Sequence, residues 1–173
     1  HITIKDLLYI MLIESSNDAA ECLASKLNRD NFIILMNEKA KRLKMKNTLF
    51  INPSGLDEEN ETYNISSAKD LTILVSEIIK NYPIIEEILS KAEHYIVSES
   101  GITHKIINTN ILLKEIPYET WGKTGYTLKA KECLVLMTKT PLGDIIINII
   151  INSNDRFTEM KNLINWTNNA FYF

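Results

Sequence analysis

A chain of 173 residues with 45% hydrophobic content is long enough to bury one core, and residues 1–173 read as a single domain. Its net charge of -3 comes from interspersed Lys, Asp and Glu, which excludes the basic patch that a nucleic-acid partner needs. The longest apolar run, Ile145 to Ile151, is broken by Asn148 and falls far short of the roughly 20 residues that cross a bilayer.

The chain opens on His1 rather than Met, with no basic stretch and short apolar run behind it. That start reads as a processed or truncated product, with any export signal outside it. Cys22 and Cys133 are far apart in sequence and are expected to be buried free thiols. Three histidines, His1, His94 and His104, without paired Cys/His spacing predict neither a zinc site nor a cofactor.

Thr3 followed by Asp6 makes a capping-box start, and Leu7, Leu8, Met11 and Leu12 recur at helical spacing, which predicts a helix to about Glu14. After the polar cluster Ser15 to Asp18, Asn17 or Asp18 is expected to cap a second helix through about Leu27. Asp30 or Asn31 is expected to cap a third, with Phe32, Leu35, Met36 and Leu43 on its apolar side. Asn52, Pro53, Ser54 and Gly55 form a turn cluster, and Asp57 to Asn64 an exposed loop. Ser67 with Asp70 opens a helix over Ala68 to Lys80, and Pro83 a short one through Leu89.

The pattern then turns β-like. His94 to Val97 and Ile102 to Ile107 read as strands around a turn at Ser98 to Gly101. Cys133 to Thr140 and Asp144 to Asn152 predict an antiparallel hairpin through Pro141, Leu142 and Gly143. A last helix from about Asp155 carries Phe157, Met160, Ile164 and Phe171 near one side, with Trp166 expected in the core. Helices, then a hairpin and a closing helix, predict an α+β domain.

Two tripeptides carry the chemistry: Ser15-Ser16-Asn17, an SxN, and Lys123-Thr124-Gly125, a KTG set before the hairpin. Together with an SxxK they form the signature of class A β-lactamases and penicillin-binding proteins. Their surroundings are more specific. Glu14 to Ala20 (ESSNDAA), Asn37 to Leu56, Asn108 to Leu113 (NTNILL), Gly122 to Thr127 (GKTGYT) followed by Glu132 to Met137 (ECLVLM), and Asp155 to Phe171 keep one order. In these stretches the chain resembles the low-molecular-mass serine D-alanyl-D-alanine carboxypeptidases over nearly its whole length.

The resemblance implies a β-lactamase/penicillin-binding transpeptidase-like fold, a helical lobe beside an antiparallel sheet. It implies removal of the terminal D-Ala from a peptidoglycan stem peptide ending in D-Ala-D-Ala, by way of an acyl-enzyme, outside the cytoplasm. β-Lactams would inhibit the complete enzyme. Ser15 would relay a proton to the leaving amine and Asn17 would hold the substrate amide. Lys123 would supply a cation, Thr124 would bind the terminal carboxylate, Gly125 would admit the substrate backbone, and the Tyr126 amide would join the oxyanion hole.

The family's nucleophile lies in an SxxK well before the SxN, and no serine precedes Ser15 here. The literal SxxK of this chain, Ser66 to Lys69, falls after the SxN and reads as a helix start. The expectation is a fragment lacking the N-terminal strands, the central SxxK helix and the nucleophile. It would be inactive alone, and completed by a separate N-terminal segment or prone to self-association. The rival reading is a non-catalytic cell-wall binding or scaffold protein that keeps the cleft. A β-lactamase relative fits less well, because no acidic residue in a loop presents itself to activate a deacylating water. Ser16, Lys131 and Glu132 stand where the family pattern commonly differs, with Gly usual at the SxN centre and in the KTG hairpin. Asn108 and Asn110 read as structural, His94 and His104 as strand-surface residues, and Trp121 as either a packed aromatic or the cleft rim.

Overall fold

A computed structural model describes residues 1–59 and 62–171. Thr3 Oγ1 accepts the Asp6 N–H and Asp6 Oδ2 accepts the Thr3 N–H, both at 3.1 Å, so the expected capping box closes on helix α1, Ile4–Tyr9. The helix does not run on unchanged to Glu14. It widens into a π-helical turn, Ile10–Glu14, which ends on Ser15 in the left-handed region at φ 62. Such a turn inserts a residue and rotates the chain beyond it, a device common at functional sites.

Helix α2, Asn17–Ser25, is capped by Ser16, whose Oγ accepts the Ala19 N–H, rather than by Asn17 or Asp18. Helix α3, Arg29–Arg42, is capped by Asn28, which accepts from the N–H groups of both Asp30 and Asn31. The expected caps of these two helices thus lie inside them, because their immediate predecessors reach the free amides first. Phe32, Met36 and Leu43 are half-buried, but Leu35 is exposed. Helices α4, Ala68–Asn81, and α5, Pro83–Leu89, come next, with the expected Ser67 cap and N-terminal proline. The predicted loop over Asp57–Asn64 carries no helix or strand where it is described; its Asn60 and Glu61 lie outside the described residues.

Strands β1, Glu93–Val97, and β2, Thr103–Ile107, form a separate antiparallel pair. The second sheet has three strands rather than a hairpin alone, ordered β3, Thr120–Thr127, β4, Lys131–Lys139, and β5, Ile145–Ser153. The KTG therefore lies within β3, not before the sheet. Its segment, TWGKTGYT, lacks the alternation by which strands are read, and pairing with β4 makes it one.

Helix α6, Arg156–Ala170, packs on one face of this sheet and α4 and α5 on the other. Side chains along β4 alternate accordingly. Leu134 and Leu136 meet Met160 and Ile164 of α6, while Val135 and Met137 meet Trp121, Val75 and Leu89. Trp121 is 1% exposed and thus a packed aromatic, not a rim residue. A third cluster, Tyr9, Ile13, Ile88, Ile96 and Ile106, joins the π-helical turn to α5 and the β1–β2 pair.

Two expectations of burial fail. Trp166 is exposed, edge-on to the exposed Phe171, because the inward stripe of α6 is Met160, Ile164 and Thr167 at helical spacing and Trp166 lies off it. Cys22 is exposed and Cys133 half-buried, both as free thiols, since α2 turns Ala19, Ala20 and Ala24 inward instead. His94 is half-buried against Tyr9, with ring centroids 4.2 Å apart, and His104 is exposed. No described helix is long and apolar enough to cross a membrane.

Candidate active site

The SxN arrives at the cleft through the π-helical turn and the KTG through β3, and the two touch. Lys123 Nζ donates to Ser15 Oγ at 2.5 Å and to the Thr124 carbonyl at 3.0 Å. The left-handed backbone at Ser15 ends one helix, and Ser16 caps the next, so the hydroxyl of Ser15 sits at the bend between them. Burial pushes the Lys123 ammonium down to about 8, with the nearby charge of Arg156 as the second cause.

The Asn108-Thr109-Asn110 segment fastens this arrangement. Asn108 Nδ2 donates to the carbonyls of Leu89 and Lys91, and its Oδ1 accepts the Asn110 N–H at 2.9 Å. Between them, Thr109 donates its N–H to the Ile13 carbonyl of the π-helical turn at 3.2 Å, and its hydroxyl meets that of Thr124 at 2.6 Å. One residue thus ties the SxN side to the KTG side. Sequence reasoning passed over Thr109 while reading both neighbours as structural, the role that the buried Asn108 and Asn110 fill.

The cleft, about 400 Å³, is lined by all six residues singled out from the sequence, Ser15, Asn17, Lys123, Thr124, Gly125 and Tyr126. Thr109, Cys133 and Arg156 join them, and Ser54, Gly55 and Leu56 supply a further wall. Local hydrogen bonds hold that wall. Buried Asn52 accepts the Gly55 N–H at 2.7 Å and donates to the Leu56 carbonyl at 2.8 Å, and Asn64 Oδ1 accepts the N–H groups of Ile51 and Asn52. Arg156 escaped the sequence reading, its one visible signal being its place at the start of the last helix. Its Nη1 donates to the Gly125 carbonyl at 2.8 Å.

Ser66 belongs elsewhere, its Oγ paired with Thr48 Oγ1 at 2.9 Å beside the buried Asp70. Among the described residues the cleft serines are Ser15 and Ser54. A larger hollow, about 510 Å³, opens between the β4–β5 turn and the end of α6. Its charged residues, Glu119 and Lys139, neutralise each other at 3.0 Å, and among the described residues it gathers none of those singled out from the sequence, so the smaller cleft is the candidate site.

A helical lobe and an antiparallel sheet that bring an SxN serine against a KTG lysine define a penicillin-binding fold, and solved structures agree. Penicillin-binding protein D2 of Listeria monocytogenes in its ampicillin-bound form superposes with a TM-score of 0.84 at 33% identity, over 95% of this chain and 67% of that one. A D-alanyl-D-alanine carboxypeptidase of Mycobacterium tuberculosis gives 0.85 at 28% identity, over 98% and 65%. Residues 1–155 match the family model for D-alanyl-D-alanine carboxypeptidase, peptidase S11, and the chain belongs to that family. Among curated relatives, the carboxypeptidase DacF of Bacillus subtilis is 38% identical over 80% of this chain, and a D-alanyl-D-alanine endopeptidase of Pseudomonas aeruginosa 31% over 95%. The chain spans 35% of the length of the first and 54% of the second.

Proposed function

We propose that this chain forms the SxN and KTG walls of a serine D-alanyl-D-alanine carboxypeptidase acting outside the cytoplasm on peptidoglycan stem peptides that end in D-Ala-D-Ala. The observation that carries the reading is the contact of the half-buried Lys123 ammonium with Ser15 Oγ across the cleft. A lysine held near 8 exchanges its proton close to neutral pH, and the serine beside it can pass that proton on.

In this reading the substrate lies along β3. Its terminal carboxylate is held by the Thr124 hydroxyl and the Arg156 guanidinium, and its amide by Asn17. A serine hydroxyl attacks the penultimate carbonyl and gives its proton to the lysine of its own SxxK, the oxyanion is stabilised by the Tyr126 N–H, and the C–N bond breaks as Ser15 hands a proton from Lys123 to the departing D-Ala amine. Water then cleaves the acyl ester. The attacking serine of an SxxK is not among the described cleft residues, and in this reading an N-terminal segment delivers it. β-Lactams, which imitate the same substrate, are inhibitors in this reading, as the ampicillin and cefotaxime complexes of the Listeria protein support.

The missing cleft nucleophile favours one rival, a non-catalytic cell-wall binding module. The test is to incubate the full-length gene product with an acetylated tripeptide ending in D-Ala-D-Ala and assay free D-Ala, and in parallel to record its intact mass after excess benzylpenicillin. Release of D-Ala with a one-inhibitor mass increase supports the enzyme. Peptide binding with neither event supports the module, and absence of binding removes both.

A further inference from the structure

Glu132 lies on β4, opposite Tyr126 of β3 and opposite Ser153 of β5, where the β4–β5 register slips. Its Oε2 accepts the backbone N–H of Arg156 at 3.0 Å, and the same oxygen is 4.0 Å from Arg156 Nε. Arg156 is the first residue of α6, so this N–H has no partner inside its own helix, and a carboxylate there also meets the positive end of the helix. Asp155 already caps the Thr158 N–H, which makes Glu132 a second acceptor, reaching in from another element.

From that anchor the Arg156 side chain crosses to the Gly125 carbonyl, the last residue of the KTG. Its Nε is buried with no hydrogen-bond partner, and the guanidinium carbon lies 4.9 Å from the centre of the Phe157 ring, so its orientation rests on the Gly125 carbonyl, that ring and the charge of Glu132. The pair is largely shielded, with side-chain exposures of 15% for Arg156 and 33% for Glu132, so their attraction is not screened away. Glu132 itself does not line the cleft.

We propose that Glu132 is a positioning residue. Its carboxylate docks the start of α6 on β4 and aims Arg156 at the KTG strand, so that a substrate carboxylate meets a guanidinium already in place. The role in substrate binding rests on the function proposed above; the docking of Arg156 does not. Placement and field make opposite demands. Removing a negative charge beside the cleft would strengthen its hold on an anion if Glu132 acted through its field alone, and weakens that hold if Glu132 places Arg156.

Two measurements on the protein and its Glu132→Ala and Glu132→Gln variants decide the matter. By titration calorimetry, Glu132→Ala is expected to weaken an acetylated D-Ala-D-Ala tripeptide five- to ten-fold and to leave its C-terminal amide within two-fold. Glu132→Gln, whose amide oxygen can still accept the Arg156 N–H, is expected to recover part of the loss. Unchanged or tighter binding of the carboxylate form overturns the proposal. By nitrogen-15 NMR, hydrogen exchange at Arg156 Nε is expected to quicken ten-fold or more in Glu132→Ala while amide signals away from α6 stay in place, and unchanged exchange overturns it equally. If the parent binds no tripeptide, the proposed function fails while the exchange measurement still judges Glu132. If the alanine variant does not fold, the glutamine variant carries both readouts.

Discussion

Replacing Lys123 by Met removes a half-buried ammonium while keeping a side chain of similar length, and its effect on stability is expected to depend on pH. The folded protein holds this lysine near 8, against an ordinary 10.5 once unfolded, because burial penalises the charged form. A folded value below the unfolded one means that the charged site opposes folding at pH values under 8, and that the penalty fades as pH rises towards 10.5. At ~1.4 kcal/mol per pKa unit the full penalty is about 3 kcal/mol, and about 2 kcal/mol of it should vanish between pH 8 and pH 10. Urea unfolding of the protein and of Lys123→Met at pH 7, 8, 9 and 10 reads this directly. Taking the difference between the two chains cancels the titration of every other lysine and tyrosine. The native chain should gain on the variant by about 2 kcal/mol from pH 8 to 10. A difference that stays flat over that range would refute the reasoning, and with it the partial desolvation of the cleft lysine.

Further expectations concern the strand that carries the KTG. A Cβ added at Gly122 would lie 2.3 Å from the Val135 carbonyl oxygen and 3.1 Å from Leu136 Cα, both backbone atoms that cannot step aside. Gly122→Ala should therefore cost about 3 kcal/mol or more in urea unfolding. Lys131 holds φ at 54, the left-handed region that glycine enters freely. Lys131→Gly should raise stability by about 0.5 kcal/mol, the relief of strain exceeding the added freedom of the unfolded chain, and a lower thermal midpoint would contradict it.

Local signals in the chain were enough for most of the helices, because caps and apolar spacing act within a few residues. Thr3 with Asp6, Ser67 with Asp70 and Pro83 each mark a helix start where one occurs. The SxN and KTG were legible as motifs, and their flanks carried the family resemblance, since catalysis fixes residue types at short spacing. What no window could contain was the meeting of Ser15 with Lys123, which are 108 positions apart, and that contact depends on a π-helical turn and on Thr109 joining the two sides. β3 became a strand by pairing with β4, not by its own alternation. Arg156 entered the cleft because Glu132 on another element holds its helix start. Trp166 turned outward because packing on the sheet selected a different stripe of α6. Short-range chemistry belongs to the sequence itself, whereas partners brought together by chain reversal depend on the summed packing of distant surfaces, and only the tertiary structure decides those.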